Sequence, residues 1–125
     1  MVGYREGMLG ELGWATARLD DLLNLLPSRL AALTVVVGAR LSGEGTAGAW
    51  RAWRRDGNAT ASPNAGQTMA AMAGALGVTL EKLGHYRLGD GGPPGIAAID
   101  RGVRVFAAAA GASLVGVLAL LRVFA

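Results

Sequence analysis

The chain has 125 residues, 52% of them apolar and 17% charged, with no cysteine and a net charge of +3. That length allows one domain or a piece of one, and the low charge with an apolar bulk of Ala, Leu, Val and Gly favours a membrane protein over a soluble domain. The missing thiol excludes disulfides, thiolate zinc sites and a Cys nucleophile, and the scattered arginines argue against nucleic acid as a partner.

Met1–Glu6 is polar and lacks the basic head and apolar run of a signal peptide. Leu9, Leu12, Ala15 and Leu19 recur at helical spacing, so residues 1–21 read as a polar start and an amphipathic helix, which Asp20 and Asp21 interrupt. Residues 22–39 are apolar apart from Asn24, Ser28 and Arg29. This segment reads either as a crossing kinked at Pro27 or as a half-buried, re-entrant helix, and Arg29 then needs an internal partner or a route to the interface.

Residues 40–66 are polar and glycine-rich, with a short helix near Ala47–Arg55 that puts Trp50 and Trp53 on one face. A small-residue helix is expected over 67–77. A β-hairpin is expected near 78–88, with Glu81–Gly84 as its connection. Gly91-Gly92-Pro93-Pro94 marks a turn. A last helix then runs from about Gly95 to the end. Its charge-free part, 105–121, lies between Arg104 and Arg122 and reads as a transmembrane segment or as a buried helix of a soluble bundle. Ala107/Gly111, Ala108/Ala112 and Ala112/Gly116 are small pairs suited to packing on another membrane helix. The expected fold is therefore an all-α membrane protein with one or two embedded segments and a polar loop region over 40–94. Eight of the twelve basic residues lie between Arg40 and Arg104, against five acids, which points that region to the cytoplasm.

Ser62-Pro63-Asn64-Ala65-Gly66 is a rigid turn before a helix. Pro63 fixes its own backbone, while Asn64 and Gly66 tolerate left-handed conformations. Such a turn either aims main-chain N–H groups at an anion or simply caps the helix. Arg51, Arg54 and Arg55 just upstream suit phosphate or carboxylate, or form a basic patch at a membrane surface. Asp20, Asp21 and Asp56 suit Mg²⁺, or are solvated helix-end acids. Gly43-x-Gly45-x-x-Gly48 matches a dinucleotide pattern but lacks its βαβ context, and no P-loop is present. His85 is the only histidine and reads as a hairpin surface residue.

Four ordered blocks over residues 1–105 resemble the C-terminal part of the adenosylcobinamide-phosphate synthase family (the CbiB/CobD proteins of cobalamin biosynthesis). They are Met1–Arg5; Gly13-Trp14-Ala15 with Ala17–Asp21, Asn24, Pro27, Arg29 and Leu30; Arg55-Asp56 with Ser62–Gly66 and Ala71–Val78; and Tyr86-x-Leu88-Gly89. Thr60 stands where family members often carry a basic residue.

The resemblance implies a multi-pass enzyme of the cell membrane. Such an enzyme joins the carboxylate of adenosylcobyric acid, a corrinoid, to aminopropanol or its phosphate as an amide, consuming ATP with Mg²⁺. It further implies partners in the missing N-terminal membrane helices or a separately made half. By residue chemistry, Asp20, Asp21 and Asp56 become candidates for catalysis, with Asp20 and Asp21 also for Mg²⁺. Arg18, Arg54, Arg55, Ser62, Asn64 and Gly66 become candidates for substrate or phosphate contact. The competing readings are a non-catalytic membrane sensor or scaffold, and an inactive half.

Overall fold

A computed structural model describes residues 8–125. The expected block Met1–Arg5 and the side chain of Leu9 lie outside the described residues. Five helices and one small sheet follow in order: α1 (Met8–Leu23), α2 (Leu25–Ser42), α3 (Thr46–Asp56), α4 (Ala65–Leu76), β1 (Leu80–Lys82), β2 (Tyr86–Leu88) and α5 (Ile96–Phe124).

The first helix does not stop at Asp20-Asp21. It continues to Leu23, and the chain breaks at Asn24, whose N–H donates to the Asp20 carbonyl. Pro27 thereby falls in the first turn of α2, where a missing N–H loses no intrahelical bond. The kink expected at Pro27 is thus replaced by a break three residues earlier, and Leu22 and Leu23 belong to α1. Gly43 (φ 79°) ends α2 and Gly77 (φ 66°) ends α4, both in the left-handed region that favours glycine.

Helices meet through small residues. A Cβ placed on Gly48 of α3 would lie 2.6 Å from the Gly74 carbonyl of α4, and one on Gly74 would overlap the Gly48 carbonyl. A Cβ on Gly38 of α2 would lie 2.6 Å from the Val105 carbonyl and 2.8 Å from the Ala109 nitrogen of α5. The buried cluster around these crossings is Ala32, Val35, Val36, Ala39, Ala49, Ala71, Ala75, Leu76, Val78, Ala98 and Val105. The seam on α5 is Val105 and Ala109. The expected pairs Ala107/Gly111 and Ala112/Gly116 do not carry it: Ala107, Gly111 and Gly116 are exposed, and only Ala108 and Ala112 are half-buried. Beside that cluster, half-exposed Arg101 of α5 bonds Glu44 (2.7 and 3.0 Å) and the Leu76 carbonyl (3.0 Å), joining three helix ends.

The large apolar side chains point the other way. Leu26, Leu30, Leu33, Val37 and Leu41 form an exposed stripe down α2. Ile99, Val103, Phe106, Leu114, Val117, Leu118 and Leu121 are exposed along α5. Such a distribution inverts that of a water-soluble domain. Both α2 and α5 are long and apolar enough to cross a membrane, and only 11% of the most apolar window of α5 is buried. At 1.5 Å per residue the 29 residues of α5 extend about 43 Å, against about 30 Å for a hydrocarbon core.

The hairpin pairs Leu80 with Leu88, Glu81 with Arg87 and Lys82 with Tyr86, and Gly84 (φ 77°) makes its turn. Its first strand starts at Leu80, later than expected. Val78 instead bridges Gly92, and Thr79 bonds the Gly91 and Gly92 carbonyls, because the Gly-Pro turn folds back over this segment.

Gly74→Ala is expected to destabilise the fold by about 1–3 kcal/mol, since its methyl meets backbone that cannot yield. Gly111→Ala, with open space at its Cβ, should be neutral or slightly stabilising. Denaturant unfolding of both variants in detergent micelles checks the contrast.

Candidate functional site

The loop between α3 and α4, residues 57–64, is pinned from two sides. Inside, the buried Gln67 of α4 accepts from the Trp53 indole N–H (2.7 Å). Its amide nitrogen donates to the Gly57 carbonyl (3.0 Å), the Asn58 side chain (3.1 Å) and the Pro63 carbonyl (2.9 Å). One side chain therefore gathers the end of α3 and both ends of the loop. Gly66 enters the same packing: a Cβ there would lie 2.5 Å from the Gly57 carbonyl.

On the other side Asn64 crosses to the α1–α2 break. Its amide nitrogen donates to the Asp21 carbonyl (2.9 Å), and its Oδ1 accepts from Ser28 (3.0 Å) and from Arg29 Nη1 (3.2 Å). Its main-chain N–H donates to Ser62 Oγ (3.2 Å). Arg29 also bonds Ser28 and the Leu25 carbonyl, so the internal partner its position demanded is the Asn64 side chain together with its own helix turn.

A second polar cluster closes the far end of α3. Arg55 grips Asp56 in two-pronged fashion (3.0 and 2.8 Å) and reaches Asp90 (3.3 Å), while Asp56 accepts from the Gly89 N–H (2.8 Å). The Arg55 guanidinium, aided by Gly89, holds the Asp56 carboxyl below the usual carboxylate range, and Arg101 does the same for Glu44. Arg55 spends three of its five N–H donors on these contacts. Beside it opens a polar cavity of about 500 Å³ lined by Arg51, Arg55, Asp90 and the glycines of the α3–α4 crossing.

The expected site residues therefore divide. The structure brings Asn64, whose main-chain N–H is held by Ser62, to the Asp21 carbonyl together with Ser28 and Arg29. It places Arg55 and Asp56 in the separate Asp90–Gly89 cluster. Arg18 lies over Trp14 and Arg54 over Trp50, each 5.8 Å from the ring centroid on its own helix. Asp20 accepts from Asn24 at 3.3 Å.

The turn differs from expectation. Asn64 (φ −111°) and Gly66 are not left-handed, and α4 already begins at Ala65, so Gly66 is a buried helical contact and not an open anion cradle. Among the described residues no group of three His, Asp or Glu side chains could hold a metal ion. Asp20 and Asp21, being consecutive on α1, diverge by about 100° around its axis. Sequence reasoning missed Gln67 and Asp90, and held Gly89 only as the end of the Tyr86-x-Leu88-Gly89 block. A polar pair, Gln67-Thr68, entering a run of Ala, Met and Gly was the available sign for Gln67.

A family description given as "CobD/Cbib protein" matches residues 1–118. A cobalamin biosynthesis protein CobD from Dehalococcoides mccartyi is 54% identical over 90 residues, covering 72% of this chain and 29% of that protein. A probable cobalamin biosynthesis protein CobD from Methanothermobacter thermautotrophicus is 51% identical over 90 residues, covering 72% and 30%. The Mycobacterium tuberculosis CobD is 41% identical over 131 residues, covering 98% and 42%. The chain thus spans less than half the length of these curated relatives. No solved structure matches it.

Gln67→Leu should leave the Trp53 N–H and the loop carbonyls unpaired, a loss on the order of 3 kcal/mol, with faster hydrogen exchange over 57–63 than over α4. A second expectation concerns acid. The folded pKa of Asp56 is depressed, so its contribution is present at neutral pH and is lost as pH falls from about 4 through the lowered value. Asp56→Asn should therefore be less stable than the parent at pH 7, and the gap should close toward pH 2 in unfolding titrations.

Proposed function

The chain belongs to the CobD/CbiB family, and we propose that it supplies the C-terminal part of an adenosylcobinamide-phosphate synthase. In this reading α2 and α5 sit in the cell membrane, with the loop and hairpin region of 40–94 on the cytoplasmic side. The enzyme condenses the carboxylate of adenosylcobyric acid with the amine of aminopropanol or its phosphate to give adenosylcobinamide or its phosphate. The activity is assigned to this portion acting with the N-terminal membrane helices that the family resemblance implies. The observation that carries the assignment is the Asn64 clasp, which holds a polar loop against the α1–α2 break beside two carboxylates, Asp20 exposed and Asp21 half-buried.

Amide formation needs an activated carboxylate and a neutral amine. ATP supplies the activation when bound, and Mg²⁺, which usually takes one or two carboxylates plus substrate phosphates, would be carried on the ATP phosphates with Asp20 or Asp21 as a candidate ligand. The polar cavity beside Arg51 and Arg55 suits an anionic group of a substrate, since Arg55 keeps two N–H donors uncommitted. Arg54 and Arg18 are exposed, each over a tryptophan of its own helix, and stay available to an anion.

The proton lost by the amine goes to a carboxylate. Asp56 is a poor acceptor because both its oxygens are engaged and its basicity is lowered. Asp20 and Asp21 are better placed at the end of α1, where neither is locked in an ion pair among the described residues. Asn64 and Gln67 act as positioning residues, because their polar atoms are spent within the protein.

Cobinamide formation in a strain lacking its own synthase tests this reading, with the chain supplied together with the N-terminal part of a full-length relative. The double change Asp20→Asn/Asp21→Asn should reduce product at least a hundredfold while membrane insertion is kept. Undiminished product would remove these carboxylates from the chemistry, and no product from the parent chain would overturn the assignment.

A further inference from the structure

The close contact between α2 and α5 is not continuous. The two helices touch at Gly38, against Val105 and Ala109. One turn on along α5 and two turns back along α2, the same helices line a cavity of about 460 Å³. Ala31 and Thr34 of α2 form one wall, and Ala110 and Ser113 of α5 form the other. Met69 and Met72 of α4 make the floor. Ala110 is exposed and both methionines are half-buried, so the cavity is an open groove walled by three helices.

The groove calls for an apolar occupant. Thr34 Oγ1 donates to the Ala31 carbonyl (2.6 Å) and Ser113 Oγ to the Ala109 carbonyl (2.9 Å), so both hydroxyls are returned to their own helices. Among the described residues no charged side chain lines the groove, and its two walls belong to the helices long and apolar enough to cross a membrane. At that depth it is filled either by lipid chains or by protein.

Two observations favour protein. The walls repeat the chemistry of the helix crossings already made at Gly38 and Gly74: they are alanine, serine and threonine, which let a further helix backbone approach closely. An acyl chain, as apolar as leucine, gains nothing from such walls. The methionine floor adapts to whatever side chains enter. In addition, more than half the length of the curated relatives lies outside the stretch that this chain matches.

We propose that this groove receives an apolar transmembrane helix of the N-terminal part of the enzyme, laid between α2 and α5 on the floor of α4. The inference rests on the reading that this portion acts together with that part. Thr68 also lines the groove, one turn after Asn64 on α4, so the docked helix lies close to the Asn64 clasp.

The absence of native cysteine makes the contact testable by oxidation. Ala110→Cys would be placed in membranes with a cysteine-free N-terminal part of a full-length relative, in which single cysteines are walked along each apolar helix. Position 110 is expected to link to one helix only, at positions three or four residues apart. The yield should exceed at least tenfold that of Val115→Cys, an exposed position about 140° away around α5. Ala110→Phe should weaken co-purification of the two parts at least tenfold and Val115→Phe should leave it unchanged; circular dichroism confirms that both variants fold.

Three results overturn the proposal. One is linkage of position 110 to a second copy of this chain. Another is labelling of that position by a phospholipid with a photoreactive acyl chain, undiminished by the N-terminal part. The third is failure of the two parts to associate. Cobinamide formation separates this inference from the reading beneath it. Product formed with position 110 unlinked removes the docking groove alone, and linkage at 110 without product removes the ligase assignment alone.

Discussion

Helix backbones in this protein touch, and most of its architecture depends on that approach. Gly48 and Gly74 bring α3 against α4, and Gly38 brings α2 against Val105 and Ala109 of α5. At such separations not even a methyl group fits at Gly38, Gly48 or Gly74, so the core is mostly alanine, glycine and valine, and among the described residues only Leu88 and Val105 are large and fully buried. Burying so little apolar surface per residue gives a weak hydrophobic drive in water. Dispersion between closely packed backbones and small side chains does not depend on water. The leucines and phenylalanines left outside have their natural environment in lipid acyl chains or against further membrane helices.

Upon this frame the polar side chains serve as pins. Gln67 folds the loop onto α4 from within, Asn64 ties it to the α1–α2 break, Arg55 and Asp56 tie α3 to the exit of the hairpin, and Arg101 joins the ends of α2 and α4. Each replaces a hydrophobic contact that a larger core would have supplied, and each fixes one segment of the loop and hairpin region or a helix end. The loop is therefore rigid where a surface connection is usually mobile. Rigidity of this kind suits the proposed ligation, since a reaction between two substrates gains chiefly from orientation.

Much of this organisation was legible in the residues. The small-residue helix, the helix around the paired tryptophans, the hairpin and the long last helix all follow from spacing and turn chemistry, and Arg29 in an apolar run called for an internal partner or a route to the interface, of which the structure shows the partner, Asn64. The pattern Gly43-x-Gly45-x-x-Gly48, poor as a nucleotide fingerprint, resolves into a helix cap, a turn bonded to Ala75 and a helix contact. What local sequence could not supply was the partner of each pin. Asn64 reaches residues 43 and 36 positions away, and no spacing rule predicts such pairs. The same limit explains Gly66: small size is shared by a left-handed turn residue and by a helical residue facing a carbonyl, and only the position of Gly57 separates them.

An account in which leucines face lipid and the loop faces water on one side can be read with a reactive thiol, since the chain has no cysteine of its own. Single cysteines at Leu30, Leu118, Thr60 and Asp90 would be treated with a membrane-impermeant maleimide in right-side-out and inverted vesicles. The account predicts labelling at 60 and 90 in inverted vesicles only, and protection at 30 and 118 in both. Free labelling at 118, or labelling of 60 and 90 from opposite sides, would contradict it.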